Sequence, residues 1–183
     1  MAYYTGQLLL ATPKLLDPNF LRGVVLVLDD DEDGALGVVL NRPSTLPLAA
    51  VLPSWSEAAA EPPMLFTGGP VSPDSAIAVG LRYGQGQVVG FRPLTGPFGL
   101  IDLDAEPDEL VRGLAGLRVF SGYAGWGHDQ LEDEIAEGSW YVVESMPDDL
   151  LHPQPDGLWR SVLRRQPGEL AYVATYPDDP NLN

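Results

Sequence analysis

The sequence predicts a single α+β domain in which a mostly antiparallel, mixed sheet is flanked by short helices. The chain has 183 residues, a length that suits one domain with a sizeable core. Short apolar segments recur between glycine- and proline-containing turns, as β-strands do. Segments with helical spacing are few and do not alternate strictly with the strands, so a parallel βαβ sheet is not favoured.

Three strands are predicted in the first part of the chain, at 7–11, 24–28 and 35–40. Each is rich in β-branched or other apolar residues, which suits a buried strand. The acidic run Asp29–Asp33 between the second and third strands is predicted to be a hairpin connection. Its spacing matches only the first half of an EF-hand loop, because Leu40 stands where the bidentate Glu should be. A cation at this loop stays an alternative, a solvated tip is favoured, and no metal site is predicted.

The middle of the chain is predicted to contain two helices, a strand and a hairpin. These are a helix at 46–52, a strand at 64–67, a hairpin of 77–81 with 87–89, an irregular segment at 92–104 and a helix at 107–114. The strand at 64–67 leads into Gly68-Gly69-Pro70, whose glycines allow a tight turn or a close backbone approach.

The segment Gly122–Ile135 is predicted to be the functional centre. A short strand at 117–120 precedes a glycine-rich loop that carries Tyr123 and Trp126, and a helix follows at Gln130–Glu137. Such a strand–loop–helix arrangement lets the backbone approach a ligand, and the first N–H groups of a helix can hold an anion.

The helix in this segment has predicted ends. Asp129 is a plausible N-cap with Glu132 completing a capping box, and Gly138 is a plausible stop. Glu132 and Glu134 lie at the two edges of the apolar stripe of this helix. Two interpretations are open: both carboxylates are solvated or capping, or one of them faces the glycine loop as a binding group.

The last part of the chain is predicted to form a strand, a helical turn, a helix, a second strand and a loose tail. These lie at 139–144, 147–151, 156–166, 170–175 and 177–183. The helix at 156–166 carries Arg160, Arg164 and Arg165, which either balance the acidic remainder or form a contact face for another protein.

Composition excludes several classes of function. Ten Lys and Arg against 26 Asp and Glu give a net charge of −16, which disfavours direct binding to nucleic acid or to an acidic membrane surface. The absence of cysteine excludes disulfides and thiol catalysis. His128 and His152 lack a zinc spacing, and no Walker A or Gly-x-Ser-x-Gly motif is present. No cofactor and no membrane span are predicted, and a cytoplasmic location is expected.

Five ordered blocks of sequence point to a family. They are Gly6-x-Leu8-Leu9-x-Ala11-x-Pro13, Asp17-Pro18-Asn19-Phe20-x-Arg22, Gly34-Ala35-x-Gly37-Val38-Val39-Leu40-Asn41-Arg42-Pro43, Gly68-Gly69-Pro70-Val71, and Gly122-Tyr123-Ala124-Gly125-Trp126-x-x-x-Gln130-Leu131-Glu132-x-Glu134-Ile135 with Trp140. Together they closely resemble the YqgE/AlgH family of bacterial proteins. The resemblance implies one cytoplasmic α+β domain and no established activity. A transcription-regulatory role is attached to the AlgH name, but no DNA-reading motif is present here, and neither the acidic run Asp29–Asp33 nor His128 belongs to the family pattern.

The favoured function is a binding or regulatory module for a small molecule or a protein, without a catalytic residue. The candidate binding residues are predicted to line one cleft; they are Asn41, Arg42, Gly68, Gly69, Pro70, Tyr123, Trp126, Gln130, Glu132 and Glu134. One alternative is a hydrolase that uses Glu132 or Glu134 as its base. Another is a transcription-related regulator that acts through protein contacts and not by binding DNA directly.

A further prediction joins the strand end to the central helix. Arg42 follows an apolar strand, where site residues collect on a sheet, and Glu132 and Glu134 could each turn toward it. Because an unpaired buried charge costs several kcal/mol, Arg42 is expected to form an ion pair with one of these glutamates.

Overall fold

The computed structural model describes residues 3–179. Within that range the chain forms ten strands: β1 (Leu8–Ala11), β2 (Val24–Asp31), β3 (Gly34–Val39), β4 (Pro43–Pro47), β5 (Met64–Thr67), β6 (Val71–Leu81), β7 (Phe91–Pro93), β8 (Phe98–Ile101), β9 (Gly116–Gly127) and β10 (Trp140–Val143). The α-helices are α1 (Leu48–Val51), α2 (Pro107–Gly113), α3 (Gln130–Ala136), α4 (Pro147–Leu150) and α5 (Leu158–Arg164). Three 3-10 helices complete the described part, at Pro53–Ala58, Pro155–Gly157 and Gly168–Thr175.

One continuous sheet runs in the order β10-β1-β2-β3-β9-β6-β8-β7, and β4 joins it through β5. Every pairing between these strands in the described part is antiparallel except that of β5 with β9, which is parallel. The predicted α+β class with a mostly antiparallel, mixed sheet is therefore confirmed.

The sheet is organised around β9, which differs from the prediction at its second half. The segment predicted as a loop, from Gly122 onward, continues β9 as far as Gly127. It pairs with β3, so that Gly37 lies opposite Ala124 and Gly34 opposite Gly127. The glycines of this stretch therefore belong to a strand, and β9 joins β3 on one edge to β6 on the other.

The sheet separates two apolar cores. Along β2, Val24 and Leu26 belong to one core and Val25 and Val27 to the other, as the alternation of side chains along a strand requires. The first core contains the buried side chains of α5, among them Trp159. The second core contains the helix α3 and the two tryptophans that lie beside it. A third cluster lies under α1, α2 and the 3-10 helix Pro53–Ala58.

The predicted hairpin of 77–81 with 87–89 is wrong. Residues 77–81 do lie in a strand, β6, but its antiparallel partners are β9 on one side and β8 on the other, and β8 comes from the segment predicted to be irregular. Of residues 87–89, Val88 forms an isolated bridge to Phe91. Arg82 holds the intervening loop, because its guanidinium donates to the carbonyls of Gly84, Gln85 and Gly86.

Three further segments differ from the prediction. Pro43–Pro47 forms the strand β4 where a strand end was predicted. The apolar run at 170–175 lies in the 3-10 helix Gly168–Thr175 and not in a strand. The expected loose tail is held at its beginning, because Pro177 and Asp178 accept hydrogen bonds from arginines. Residues 180–183 of that tail lie outside the described residues.

Candidate functional site

The structure distributes the predicted site residues over three places. The backbones of the three predicted segments do meet, because Thr67 N donates to Arg42 O and Gly68 N donates to Ser121 O. Their side chains do not share one cleft, however. Tyr123 packs against the core that contains α5, and Trp126 is part of the core that contains α3. Because these two residues are three apart on one strand, they point to opposite faces of the sheet.

The turn Gly68-Gly69-Pro70 packs against the backbone of β9. A Cβ atom added to Gly69 would lie 2.2 Å from the carbonyl carbon of Tyr123, and one added to Gly68 would lie 2.3 Å from Gly122 O. The two glycines are therefore needed for the close approach of two backbones. Pro70, the third candidate of this turn, is exposed.

Trp126 of β9 forms a cluster with Gln130 and Glu134 of α3. Glu134 Oε2 accepts hydrogen bonds from Trp126 Nε1 at 2.9 Å and from Trp140 Nε1 at 2.8 Å. Glu134 Oε1 accepts from Gln130 Nε2 at 3.0 Å, while Gln130 Oε1 accepts from Gly127 N at 2.9 Å. The two indoles meet edge to face, with their centroids 6.0 Å apart. With three N–H groups on its carboxylate, Glu134 serves as an acceptor that orders the aromatic cluster.

The ends of α3 agree with the prediction only in part. The helix begins at Gln130, and Gly138 follows its end with φ +84°, as a helix stop requires. The predicted capping box is wrong, because Asp129 has a left-handed backbone with φ 58° and its side chain makes no capping hydrogen bond. In place of a cap, Gln130 holds the turn through its bond from Gly127 N.

The predicted ion pair of Arg42 with Glu132 or Glu134 is wrong. The Arg42 guanidinium donates to Leu21 O and to Asn41 O. It lines a pocket with Trp159, a residue of the core that contains α5, whereas Glu134 bonds the tryptophans of the other core. The sheet therefore stands between the predicted partners.

Arg42 instead lines a pocket in which three arginines converge. This arginine pocket is lined by Arg22, Asn41, Arg42, Asp156, Trp159, Arg160 and Asp178, and its cavity volume is about 130 Å³. Such a cavity is smaller than the roughly 300–1,000 Å³ of sites for drug-sized ligands, so it has room for a small ligand group only. Three of the chain's ten basic residues thus meet at one place in a protein whose net charge is −16.

Arg22 lies at the centre of the arginine pocket. Its guanidinium stacks on the Trp159 ring, with Cζ 4.4 Å from the ring centroid, and its Nη2 donates to Pro177 O at 2.7 Å. Arg22 Nε and Nη1 are buried and find no hydrogen-bond acceptor within residues 3–179. A buried donor without an acceptor costs about 1–3 kcal/mol, and more when it is charged. Arg22 also has a left-handed backbone, with φ 55°.

Asn41 fixes the position of Arg22. The Asn41 side chain is 5% exposed. Its Oδ1 accepts from Val24 N at 2.9 Å, and its Nδ2 donates to Arg22 O at 2.9 Å. Asn41 therefore ties the segment that follows β3 to Arg22 and to the start of β2, and its side-chain oxygen and nitrogen both have partners. Its role in the pocket is to position an arginine.

Electrostatics in the arginine pocket favour an anion. Burial lowers the pKa of Arg22, and the positive charge of Arg160 lowers it further. Burial also lowers the pKa of Arg42, with Asp156 opposing the shift. Asp178 opposes the shift at Arg22. The two causes that lower the pKa of Arg22 express a cost of holding positive charge there, and a bound anion would offset that cost.

Sequence reasoning missed Arg118, the most buried cation of the described part. Its side chain lies on β9, is 2% exposed, and has Cζ 4.2 Å above the Phe66 ring. It donates to five backbone carbonyls, namely Ala60 O, Glu61 O, Pro62 O, Leu150 O and His152 O. Because every N–H of its guanidinium is directed at the protein's own backbone, Arg118 joins the segment 60–62 and the end of α4 to the sheet. A lone arginine inside the apolar run 117–120 was the available signal.

The arginines of α5 do not form one exposed basic face. Arg160 faces the arginine pocket and pairs with Asp178. Arg165 makes two bonds to the buried carboxylate of Asp149, at 2.5 and 2.6 Å. Arg164 is exposed. Two of the three charges are therefore engaged within the chain.

Two other features concern metals and membranes. Among residues 3–179, no group of three or more His, Asp or Glu side chains is arranged to hold a metal ion. No helix of the described part is long and apolar enough to cross a membrane.

His128 is expected to titrate above its ordinary pKa of 6.5. Its Nδ1 lies 2.6 Å from Glu32 O, which favours the protonated ring, and Asp129 Oδ2 lies 3.1 Å from Nε2 and acts in the same direction. Because the folded-state pKa is raised, the stabilising contribution of His128 is complete below pH 6.5 and is lost as the pH rises through the folded value. An NMR titration of the His128 ring measures this pKa.

The matched control for His128 is Asp129→Asn. Asn tolerates the left-handed backbone of residue 129 and removes its charge. The pKa of His128 should fall part of the way toward 6.5, since the Glu32 carbonyl remains. A wild-type value at or below 6.5 would contradict the arrangement around His128.

Comparisons with known proteins identify the family. The AlgH-like family model matches residues 8–171. A UPF0301 protein from Streptomyces avermitilis is 57% identical over 183 residues, with 98% of this chain and 95% of the relative covered. The UPF0301 protein SCO2948 from Streptomyces coelicolor is 56% identical, with the same shares covered.

Solved structures agree with this assignment. The crystal structure of protein DIP2367 from Corynebacterium diphtheriae matches with a TM-score of 0.90 at 31% identity, covering 96% of this chain and 94% of that one. The solution structure of the AlgH protein from Pseudomonas aeruginosa matches with a TM-score of 0.68 at 26% identity, covering 96% and 95%. The resemblance that the five sequence blocks indicated is confirmed, and the chain belongs to the AlgH-like family.

Proposed function

We propose that this chain is a binding module for a small anionic molecule, which it holds in the arginine pocket. The observation that carries the proposal is Arg22, whose Nε and Nη1 are buried without an acceptor beside two further arginines. A phosphate or carboxylate group suits such donors, because the planar guanidinium matches the geometry of both.

The pocket has the mixed character of a ligand site. Trp159 is 2% exposed, and its ring already holds the Arg22 guanidinium in place. Asn41 Nδ2 donates a hydrogen bond to Arg22 O, so the position of the Arg22 donors is fixed before a ligand binds. A site whose donors are fixed in advance loses less conformational entropy on binding.

This function keeps part of the sequence-based prediction. Asn41 and Arg42 remain site residues, and Arg22 and Arg160 join them. Gly68, Gly69, Pro70, Tyr123, Trp126, Gln130, Glu132 and Glu134 are assigned to the framework around β9. Direct nucleic-acid binding is disfavoured by the net charge of −16. A regulatory role through protein contacts and a cytoplasmic location remain predictions.

Removing one arginine of the pocket tests the function. Isothermal titration with pyrophosphate, inorganic phosphate and malonate should show binding by the wild type, and the best of these anions should bind about tenfold more weakly to Arg42→Gln. A tenfold loss corresponds to about 1.4 kcal/mol, the lower end of a hydrogen bond to a charged group. The bound anion should also raise the melting temperature of the wild type.

The control for this titration is Arg164→Gln. It removes the same charge from the end of α5, but Arg164 is exposed and does not line the arginine pocket. Its affinity for the anion should stay within about twofold of wild type, since exposed charges at a distance are screened by salt. Equal losses of affinity in Arg42→Gln and Arg164→Gln would show that net charge alone causes the effect. If the wild type binds none of the three anions, the proposed function is wrong.

A further inference from the structure

The segment that follows the 3-10 helix Gly168–Thr175 crosses the arginine pocket. Two of its residues, Pro177 and Asp178, are here named the C-terminal strap. Pro177 O accepts a hydrogen bond from Arg22 Nη2 at 2.7 Å. Asp178 Oδ1 accepts one from Arg160 Nη2. The strap thus places one carbonyl and one carboxylate on two of the three arginines.

The strap is held weakly at its charged end. The Asp178 side chain is 90% exposed, while that of Arg160 is 25% exposed. An ion pair with so much access to water contributes little to stability and is weakened further by salt. The Asp178 carboxylate can therefore leave Arg160 at small cost, and a competing anion of modest affinity can replace it.

The strap also leaves some hydrogen-bond donors of the pocket without an acceptor. Arg22 Nε and Nη1 stay without an acceptor within residues 3–179 although the strap is in place. Arg42 donates to Leu21 O and Asn41 O and, within residues 3–179, makes no hydrogen bond to either strap residue. An anion with several oxygens could serve the unpartnered donors as well as the donor that Asp178 occupies.

We propose that the C-terminal strap is a built-in competitor of the ligand. The Asp178 carboxylate occupies the place of one ligand oxyanion, and binding of the ligand's phosphate or carboxylate group displaces the strap from Arg160 and Arg22. The inference rests on the proposed function, since it concerns the regulation of the same pocket.

With a competitor within the chain, the apparent affinity is the intrinsic affinity multiplied by the fraction of molecules in which the strap is open. Removing the Asp178 carboxylate raises that fraction. Because the exposed pair contributes little, the expected gain in affinity for Asp178→Asn is about two- to fivefold. A chain that ends at Tyr176 also lacks the Pro177 carbonyl, and its affinity should rise by more.

The experiment is a titration with pyrophosphate of four proteins: wild type, Asp178→Asn, the chain ending at Tyr176, and Glu169→Gln. Glu169→Gln is the control, because it removes the same charge from an exposed position of the neighbouring 3-10 helix. Asp178→Asn should bind about two- to fivefold more tightly than wild type, and Glu169→Gln should match wild type. The backbone amide of Asp178 should also become more mobile in the 15N relaxation of the wild type at saturating pyrophosphate.

Each other outcome has a definite meaning. If pyrophosphate binds the wild type and Asp178→Asn equally, the strap is not a competitor, while the arginine pocket stands. If Asp178→Asn binds more weakly, Asp178 belongs to the ligand site and the inference is overturned. If the wild type binds neither pyrophosphate, inorganic phosphate nor malonate, the proposed function fails and the strap inference fails with it.

Discussion

Replacing Arg118 with Ala is expected to lower the free energy of unfolding by about 4 kcal/mol, the largest effect of a single side chain that we predict. Arg118 donates to five backbone carbonyls at 2.8 to 3.4 Å, three of them from 60–62 and two from Leu150 and His152. Without the guanidinium these carbonyls lose their donor. Each buried acceptor that stays unsatisfied costs about 1–3 kcal/mol, and entry of water limits the sum.

The Arg118 charge itself is part of this arrangement. Burial lowers the pKa of Arg118 to about 10, so the guanidinium is still charged at neutral pH. Arg118→Lys keeps a charge but has only three donors on one nitrogen, which cannot reach both the segment 60–62 and the end of α4. We expect it to lose roughly half as much stability as Arg118→Ala, since fewer carbonyls keep a donor.

Thermal unfolding followed by circular dichroism measures the effect of Arg118→Ala. For a domain of this size a loss of 4 kcal/mol lowers the melting temperature by roughly 8–16 °C. The matched control is Arg82→Ala. Like Arg118, Arg82 donates to backbone carbonyls, but it has three of them, and its bonds are exposed and lie within one loop. It should cost less than about 1 kcal/mol, because water replaces the lost donors. Similar losses for the two variants would contradict the role of Arg118.

The fold was predictable where apolar residues form uninterrupted runs. β1, β3 and β5 lie where such runs predicted strands, and β2 begins where predicted but continues to Asp31 into the acidic loop. The second half of β9 was not predictable in this way, because its glycines are typical of a loop. What keeps it extended is the pairing with β3 and the close approach of Gly68 and Gly69, and both are distant in sequence.

The apolar run at 170–175 shows the opposite error. A short apolar run does not distinguish a strand from a buried helical turn, and here it forms a 3-10 helix whose Ala174 is buried. β8 was missed because Pro97 and Gly99 interrupt its apolar pattern, yet Gly99 pairs with Gly80 of β6. In both segments the partner in space decided the structure.

The candidate site was predicted only at Asn41 and Arg42. Arg22 lay in one of the family blocks, but its buried donors and its stacking on Trp159 depend on α5, which comes much later in the chain. A further signal was available in the segment that contains Tyr123 and Trp126. Had it been predicted as a strand, their spacing of three would have assigned them to opposite faces and divided the predicted cleft.

The second large effect is expected at Glu134. The Glu134 carboxylate accepts from two indoles, Trp126 and Trp140, which are 6% and 3% exposed. Phe20 completes the aromatic cluster, with its ring centroid 5.5 Å from that of Trp140. Glu134→Ala leaves both indole N–H groups without this acceptor at the edge of the second core. We expect a loss of about 3 kcal/mol, since each buried donor without an acceptor costs about 1–3 kcal/mol.

Glu134→Gln separates the hydrogen bonds from the charge. The Gln oxygen can still accept from both indoles, but its NH₂ group would meet the Gln130 amide that now donates to Glu134 Oε1. The expected loss is about 1 kcal/mol, the usual net contribution of one hydrogen bond. Glu132→Ala is the control, because Glu132 lies on the same helix, carries the same charge and bonds to neither indole. It should change stability by less than about 1 kcal/mol, the range for a charge in the first turn of a helix.

Urea unfolding and the indole N–H resonances measure these changes together. In Glu134→Ala the Nε1–H resonances of Trp126 and Trp140 should both shift, because both lose the same acceptor. The Nε1–H resonance of Trp159 should stay in place, because Trp159 lies in the first core and donates to Ala11 O and not to Glu134. If Glu134→Ala were as stable as Glu132→Ala, or if the resonances of Trp126 and Trp140 did not move, Glu134 would not order the second core. We expect a large loss of stability for Glu134→Ala, a small one for Glu134→Gln, and resonance shifts confined to two indoles. This combination is expected only if the Glu134 carboxylate holds both indole rings.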